Sequence, residues 1–359
     1  MDAPPVRYMT TSDGYRIAYT AVGDGLPLVL SPNFYSHQEL YWTQKTRVTG
    51  WIQGLASRFR LIQYDGRGQG LSTRGLPANF AMSDMVRDLS ELIDYLDLRQ
   101  VSLMSEGGHC HVIARYSAEN PERVLGLILL STAISNSAWS RGYYETLARE
   151  NWPAFIQAQA GPGTTEQIQQ TRDRLDRCLT QEDWLRKVAV LLASDITDIT
   201  PSLKMPTLVL YPREYQQLPP DEPNKLTSML PDARLVFLDG WAWGDPDRGV
   251  AAIEDFIAEA KEARRANAIA ARPPTASPAV PRRDRNGNLL DTSTPVERLS
   301  SREVEVLRLI ARGLSNLQIA AELVISVRTV ERHINHVYDK IDAHTKAQAT
   351  AYALRNGIA

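Results

Sequence analysis

Histidine is scarce in this chain: six are present, and none falls between His111 and His333. A site built from the intervening residues therefore has no imidazole to serve as a general base near neutral pH. Cysteine is scarcer still. Cys110 and Cys178 stand alone with no metal-type spacing, which excludes a disulfide framework and a Cys/His metal centre. No apolar run approaches the roughly 20 residues needed to span a bilayer. The opening "MDAPPVRYMT" lacks the charged and apolar regions of a secretory signal. The expected setting is the cytoplasm, without a membrane partner. Forty basic residues against 42 acidic give a net charge of −2, which excludes a chain-wide basic footprint but not a local one.

What is present fits two globular domains. The 359 residues are 43% hydrophobic and 23% charged, ordinary values for such domains. Between 264 and 295 the composition shifts to proline, alanine and arginine with almost nothing to bury, so an extended tether is expected there. This gives domains at 1–263 and 296–359.

In the first domain, "VRYMT" and "YRIAYTAVG" flank the turn signal Ser12-Asp13-Gly14 and predict a hairpin. "LPLVLS", "FRLIQYD", "QVSLM", "VLGLILLS", "TLVLYP" and "ARLVFLD" are near-continuous apolar runs. They predict strands covered on both faces, the mark of a parallel sheet between helices. Amphipathic stretches such as "MSDMVRDLSELIDYL" and "GVAAIEDFIAEAKEA" alternate with them. An eight-stranded α/β sheet results, interrupted over 132–205 by a helix-patterned insertion.

"LIQYDGRGQGLSTRG", "NPERVLGLILLST" and "LVLSPNFYSHQELYW" give most of residues 6–260 a resemblance to the α/β-hydrolase fold. The resemblance implies a mostly parallel sheet, a helical cap over 132–205, and a catalytic triad of nucleophile, acid and histidine. The triad positions are then open to inspection. "VSLMSEGGHCHVIARY" has the strand–turn–helix frame of the nucleophile elbow but no G-x-S-x-G. Ungapped spacing puts Gly107 at the elbow, and a rival register puts Ser105 there. Tyr215 takes the acid position after "TLVLYP", and Trp243 takes the histidine position in "FLDGWAWGDPDR".

An unactivated hydroxyl is a weak nucleophile, so this pattern implies binding without hydrolysis. The expected pocket is aromatic and suits a small, mostly apolar effector. Its expected lining is Asn33, Phe34, Gly107, Gly108, Trp139, Tyr143, Tyr215 and Trp243. No cofactor or metal is called for. The competing readings are an active serine hydrolase tethered to DNA, using Ser105 or Cys110, and a domain that only dimerises.

The last 61 residues read as four short helices. Ser300 with Glu303 predicts a capping box, and Gly313 ends the first helix. Ser315 with Gln318 opens a second over 316–323, a third starts near Val327, and Thr345 opens a fourth. "LSSREVEVLRLIARGLSN", "IAAEL" and "ISVRTVERHI" closely resemble the LuxR-type helix-turn-helix across 299–359. That resemblance implies double-stranded DNA as partner, with the third helix in the major groove. Glu331, Arg332 and Asn335 would read bases, and Asn316, Arg328, Thr329, His336 and Lys340 would touch phosphates. Net charge here is only +2, so a homodimer on paired half-sites is expected. In the family the last helix supplies much of the dimer contact, and Ala347, Ala349, Ala351 and Ala353 would allow close approach. A proline-rich tether transmits geometry poorly, so dimerisation by the first domain should matter as well.

Overall fold

The computed structural model describes residues 3–35, 37–43, 48–138, 142–160, 164–215, 217–240, 243–270, 299–323, 325, 327–341, 343, 345–356 and 358. The chain divides into two compact units, 1–272 and 273–359.

The first unit is built on eight strands: β1 (Arg7–Thr10), β2 (Arg16–Val22), β3 (Pro27–Leu30), β4 (Arg60–Tyr64), β5 (Val101–Glu106), β6 (Val124–Leu130), β7 (Thr207–Pro212) and β8 (Ala233–Leu238). Their order in the sheet is β1-β2-β4-β3-β5-β6-β7-β8. β1 and β2 form the expected hairpin, with Gly14 at φ 89° in its turn. β2 also pairs antiparallel with β4, and every later pairing is parallel. β6 and β7 are buried at every residue, as strands covered on both faces must be.

The helices of this unit are α1 (Leu40–Thr43), α2 (Thr49–Ala56), α3 (Met82–Tyr95), α4 (Cys110–Glu119), α5 (Gly142–Glu150), α6 (Trp152–Ala160), α7 (Thr165–Cys178), α8 (Gln181–Leu192), α9 (Glu222–Met229) and α10 (Pro246–Ala270). Two large apolar clusters form around the sheet. One joins α3 and α4 to the insertion through Leu89, Ile113, Phe155 and Trp184, and the other joins α2 and α10 through Trp51, Leu55, Ile253 and Phe256. The insertion between β6 and β7 holds α5 to α8.

One boundary differs from expectation. α10 continues through Ala270, seven residues into the segment read as an extended tether. "RRANAIA" is alanine- and arginine-rich, and no proline intervenes until Pro273, so nothing stops the helix. Arg264 also anchors it by donating to the Val124 carbonyl at 3.0 Å. The rest of the expected tether, 271–295, lies outside the described residues.

The second unit is α11 (Ser301–Ala311), α12 (Asn316–Leu323), α13 (Val327–Ile341) and α14 (Lys346–Arg355), packed around Val306, Ile310, Ile319, Val330 and Val337. The capping box of Ser300 and Glu303 forms, Gly313 turns the chain at φ 85°, and the side chains of Ser315 and Thr345 cap the next elements. Among the described residues no helix is long and apolar enough to cross a membrane.

Candidate pocket and candidate nucleic-acid interface

The strand-to-helix turn falls at Gly107. It follows β5 directly and has φ 62°, a conformation that glycine adopts without the strain a side chain would bring. Two residues from the base of the insertion fix the turn. Thr132 Oγ1 donates to the Gly107 carbonyl at 2.9 Å, and Asn136 Nδ2 donates to the carbonyls of Gly108 at 3.2 Å and Leu191 at 3.0 Å. Gly108 has no room to spare, since a Cβ there would lie 3.0 Å from Asn136 Nδ2.

The rival nucleophiles lie inside the core. Ser105 is within β5, fully buried, and its hydroxyl has no hydrogen-bond partner among the described residues. Cys110 is also fully buried; its thiol donates to the Ser105 carbonyl at 3.1 Å, and burial pushes its pKa far up. His111 is engaged elsewhere, with Nδ1 2.9 Å from Ser194 Oγ and Nε2 2.8 Å from the Ala133 carbonyl. Burial pushes its pKa down to about 4, so the ring is neutral and structural.

Two expected lining residues belong to packing instead. Trp243 is 6% exposed and sits in the cluster of α2 and α10, edge-to-face with Trp51 at 5.7 Å. An indole has a large apolar surface, and that surface is better buried in the core than turned to a cavity. Tyr215 is buried with Ala133, Tyr211 and Leu218, and its hydroxyl donates to Gln217 Oε1 at 3.3 Å.

Asn33 and Phe34 do lie above the turn. Asn33 Nδ2 donates to Glu106 Oε2 at 3.4 Å, and its Oδ1 accepts from the Tyr35 amide at 2.8 Å. The Phe34 ring meets His109 edge-on at 4.9 Å and Trp184 at 6.0 Å. Trp184 continues into Phe155 at 4.4 Å, which stacks on Trp152 at 4.9 Å, so an aromatic column does link the cap to this loop. Trp139 and the side chain of Tyr143 lie outside the described residues.

Beside this column is a cavity of about 10 Å³, room for one water. Ser31, Tyr64, Asp88, His109, Val112 and Lys187 are among its walls. Sequence reasoning did not pick out Lys187 or Asp88. The signal was available in α8, where Lys187 falls on the same stripe as the buried Asp183, Trp184, Val188 and Leu191. The cavity's other charged wall is already satisfied. Arg67 holds Asp88 at 2.7 to 3.1 Å and reaches Asp13 at 2.8 Å.

In the second unit, α12 and α13 form the helix-turn-helix. Glu331 and Asn335, one turn apart, are exposed on α13 opposite the buried Val330 and Val337; Arg332 and His336 are half-buried beside them. Asn316 and Thr329 are half-buried at the starts of α12 and α13, and the side chain of Arg328 lies outside the described residues. Lys340 departs from the expected phosphate contact. Its ammonium is held by the buried Glu303 at 2.7 and 2.8 Å, stapling α13 to α11. Burial would raise the Glu303 pKa, but bonds from Lys340 and Ser300 outweigh that and hold it at about 2. On α14, Ala349 and Ala353 are buried within their own unit, leaving Ala347, Ala351 and the exposed Leu354 on the outer face.

Comparison with known proteins follows this division. Residues 297–353 match the family described as "Bacterial regulatory proteins, luxR family", and residues 43–170 match the Ndr family. Oxygen regulatory protein NreC of Staphylococcus aureus (strain bovine RF122 / ET3-1) is 43% identical over 73 residues, 20% of this chain and 34% of that protein. Transcriptional regulatory protein LiaR of Bacillus subtilis (strain 168) is 41% identical over 68 residues, 19% of this chain and 32% of its own. The chain thus spans about a third of the length of these curated relatives. A hydrolase from Pseudomonas aeruginosa PA01 aligns with TM-score 0.59 and 19% identity over 71% of this chain and 99% of its own. A thermophilic esterase from Thermogutta terrifontis aligns with TM-score 0.59 and 23% identity over the same 71% and 99%. Likeness at that identity establishes the fold alone.

Proposed function

Because the C-terminal unit is a LuxR-family helix-turn-helix domain and the N-terminal unit has the α/β-hydrolase fold, we propose that this chain is a ligand-controlled transcriptional regulator. Its hydrolase-fold domain binds a small, mostly apolar molecule without cutting it, and the helix-turn-helix domain binds promoter DNA in the cytoplasm. The observation that carries this reading is a glycine at the elbow, Gly107 with φ 62°, combined with a tryptophan packed into the core after β8. Without nucleophile and base, an ester in the pocket meets only binding groups.

Asn33, Phe34, Gly107 and Gly108 remain the proposed ligand contacts of the body. Asn335, Arg332 and Glu331 suit adenine, guanine and a cytosine amino group respectively. A homodimer supplies the second half-site, with Ala347, Ala351 and Leu354 as the outer face of α14 available to it. Effector control requires that ligand bind two arrangements unequally, and movement of the cap over the Gly107 turn is the natural pair.

The hydrolase alternative has less support. Ser105 and Cys110 are both enclosed, and His111, nearby in sequence, is committed to Ser194 and Ala133. A gel-shift titration of the full chain against DNA from upstream of its own coding region tests the reading. A sequence-specific complex, displaced by unlabelled specific DNA and not by scrambled DNA, is expected. Equal displacement by both would refute it.

A further inference from the structure

A buried ammonium is ordinarily paired with a carboxylate or gives up its proton. Lys187 is 3% exposed and faces the cavity from α8. Its Nζ donates to the amide oxygen Oε1 of Gln69, a neutral acceptor, and among the described residues no carboxylate lies within ion-pairing distance of it. The nearest acids are spoken for. Asp88 is held by Arg67; Asp183 accepts from the backbone amides of Gly75 at 3.0 Å and Leu76 at 2.7 Å. Asp65 accepts from the backbone amides of Gln38 at 3.2 Å and Leu71 at 2.9 Å.

We propose that Lys187 is the recognition group for a ligand carboxylate, so that the effector is a small organic acid with an apolar body. The proposal rests on the ligand-binding reading above and names the class of ligand. The carboxylate supplies the direct ion pair that Asp88, Asp183 and Asp65 do not make with Lys187, and the apolar body extends toward Phe34 and the Trp184–Phe155–Trp152 column. The cavity admits only a water-sized guest as it stands, so a carboxylate must displace the Gln69 amide or move α8 outward. Either movement is felt above the turn. Gln69 Nε2 donates to the Asn33 carbonyl at 2.6 Å, so freeing Gln69 loosens the Asn33-Phe34 loop while α8 shifts with the cap.

Burial pushes the Lys187 pKa down to about 7, against the attraction of Asp88, Asp183 and Asp65 and with the repulsion of Arg67. His109 and Tyr64, whose hydroxyl burial pushes well up, are the remaining titratable neighbours on the cavity wall. At pH 8 the amine is largely neutral, and pairing with an anion draws a proton onto it.

Isothermal titration of the full chain with octanoate and benzoate, beside octanamide and benzamide, tests this directly. The acids are expected to bind at least tenfold more tightly than their amides, and Lys187→Met to abolish the difference. Because that variant could fold poorly, the wild type carries a second readout. Octanoate binding at pH 8 should take up a proton, seen as different heats in phosphate and Tris buffers, while octanamide binding should not. Equal affinity for acids and amides, a preference that survives in Lys187→Met, no proton uptake, or no binding of the acids would each overturn the assignment. If amides bind and acids do not, the ligand-binding domain stands and only the carboxylate falls. The gel shift decides the regulator reading independently.

Discussion

Trp243 and Trp51 meet edge-to-face with ring centroids 5.7 Å apart, in the core shared by α2 and α10. Trp243, after the last strand, is part of this packing. Tryptophan at this place ties α2 to the loop that leads into α10.

Trp243→Ala should therefore cost stability, about 3 to 5 kcal/mol, as for other large core truncations. Trp243→His should leave ester turnover undetectable, because no nucleophile stands at the Gly107 turn. Urea unfolding followed by tryptophan fluorescence, and an ester assay, check the two halves. A neutral Trp243→Ala would mean that the indole is not in the core.

Replacing Lys187 should change how stability depends on pH. Its pKa is lowered to about 7 by burial, so the unfolded chain holds more protons than the folded chain from about pH 7 up to the ordinary lysine range. Stability from this group accordingly rises across that window, and the penalty of the buried charge is fully present below it. The difference in unfolding free energy between wild type and Lys187→Met should follow that slope, with the variant favoured most at low pH. Parallel curves for the two proteins would contradict it.

The slope has the same sign at Glu303, but there the ionised group stabilises the fold. Its pKa is held at about 2, so the stabilisation is present above the ordinary glutamate range and is lost as pH falls toward 2. Glu303→Gln removes the partner of Lys340 and weakens the cap of α11, for a loss of about 1 to 3 kcal/mol in thermal unfolding. The loss should shrink as the wild type is acidified.

On α13 the prediction separates reading from stapling. Asn335→Ala should weaken binding to specific DNA by about 1 to 3 kcal/mol and relax discrimination at one base pair. Lys340→Ala should leave the dependence of affinity on salt unchanged, because its ammonium is held by Glu303. A salt slope reduced by about 1 in that variant would show a phosphate contact after all.

The sheet was legible because its signal is local. Two hairpin strands and six apolar runs each announce a strand, and β6 and β7 are buried along their whole length as such runs require. The caps at Ser300, Ser315 and Thr345 were legible for the same reason: one side chain bonding three residues on. The pocket was not. The order of Trp243 and Tyr215 along the chain fixes the loop each occupies but not the direction of its side chain. Lys187 acquires its meaning from Gln69, 118 positions away in sequence, and no local pattern encodes that meeting. The contact of Lys340 with Glu303 was hidden for a related reason, since Glu303 lies on another helix, 37 positions earlier.

The central claim is that the hydrolase-fold domain holds a guest and does not cut it. The direct measurement is hydrolysis of p-nitrophenyl butyrate by the purified full chain, beside Ser105→Ala and a buffer blank. Rates for both proteins indistinguishable from the blank are predicted; turnover by the wild type that disappears in Ser105→Ala would contradict the claim.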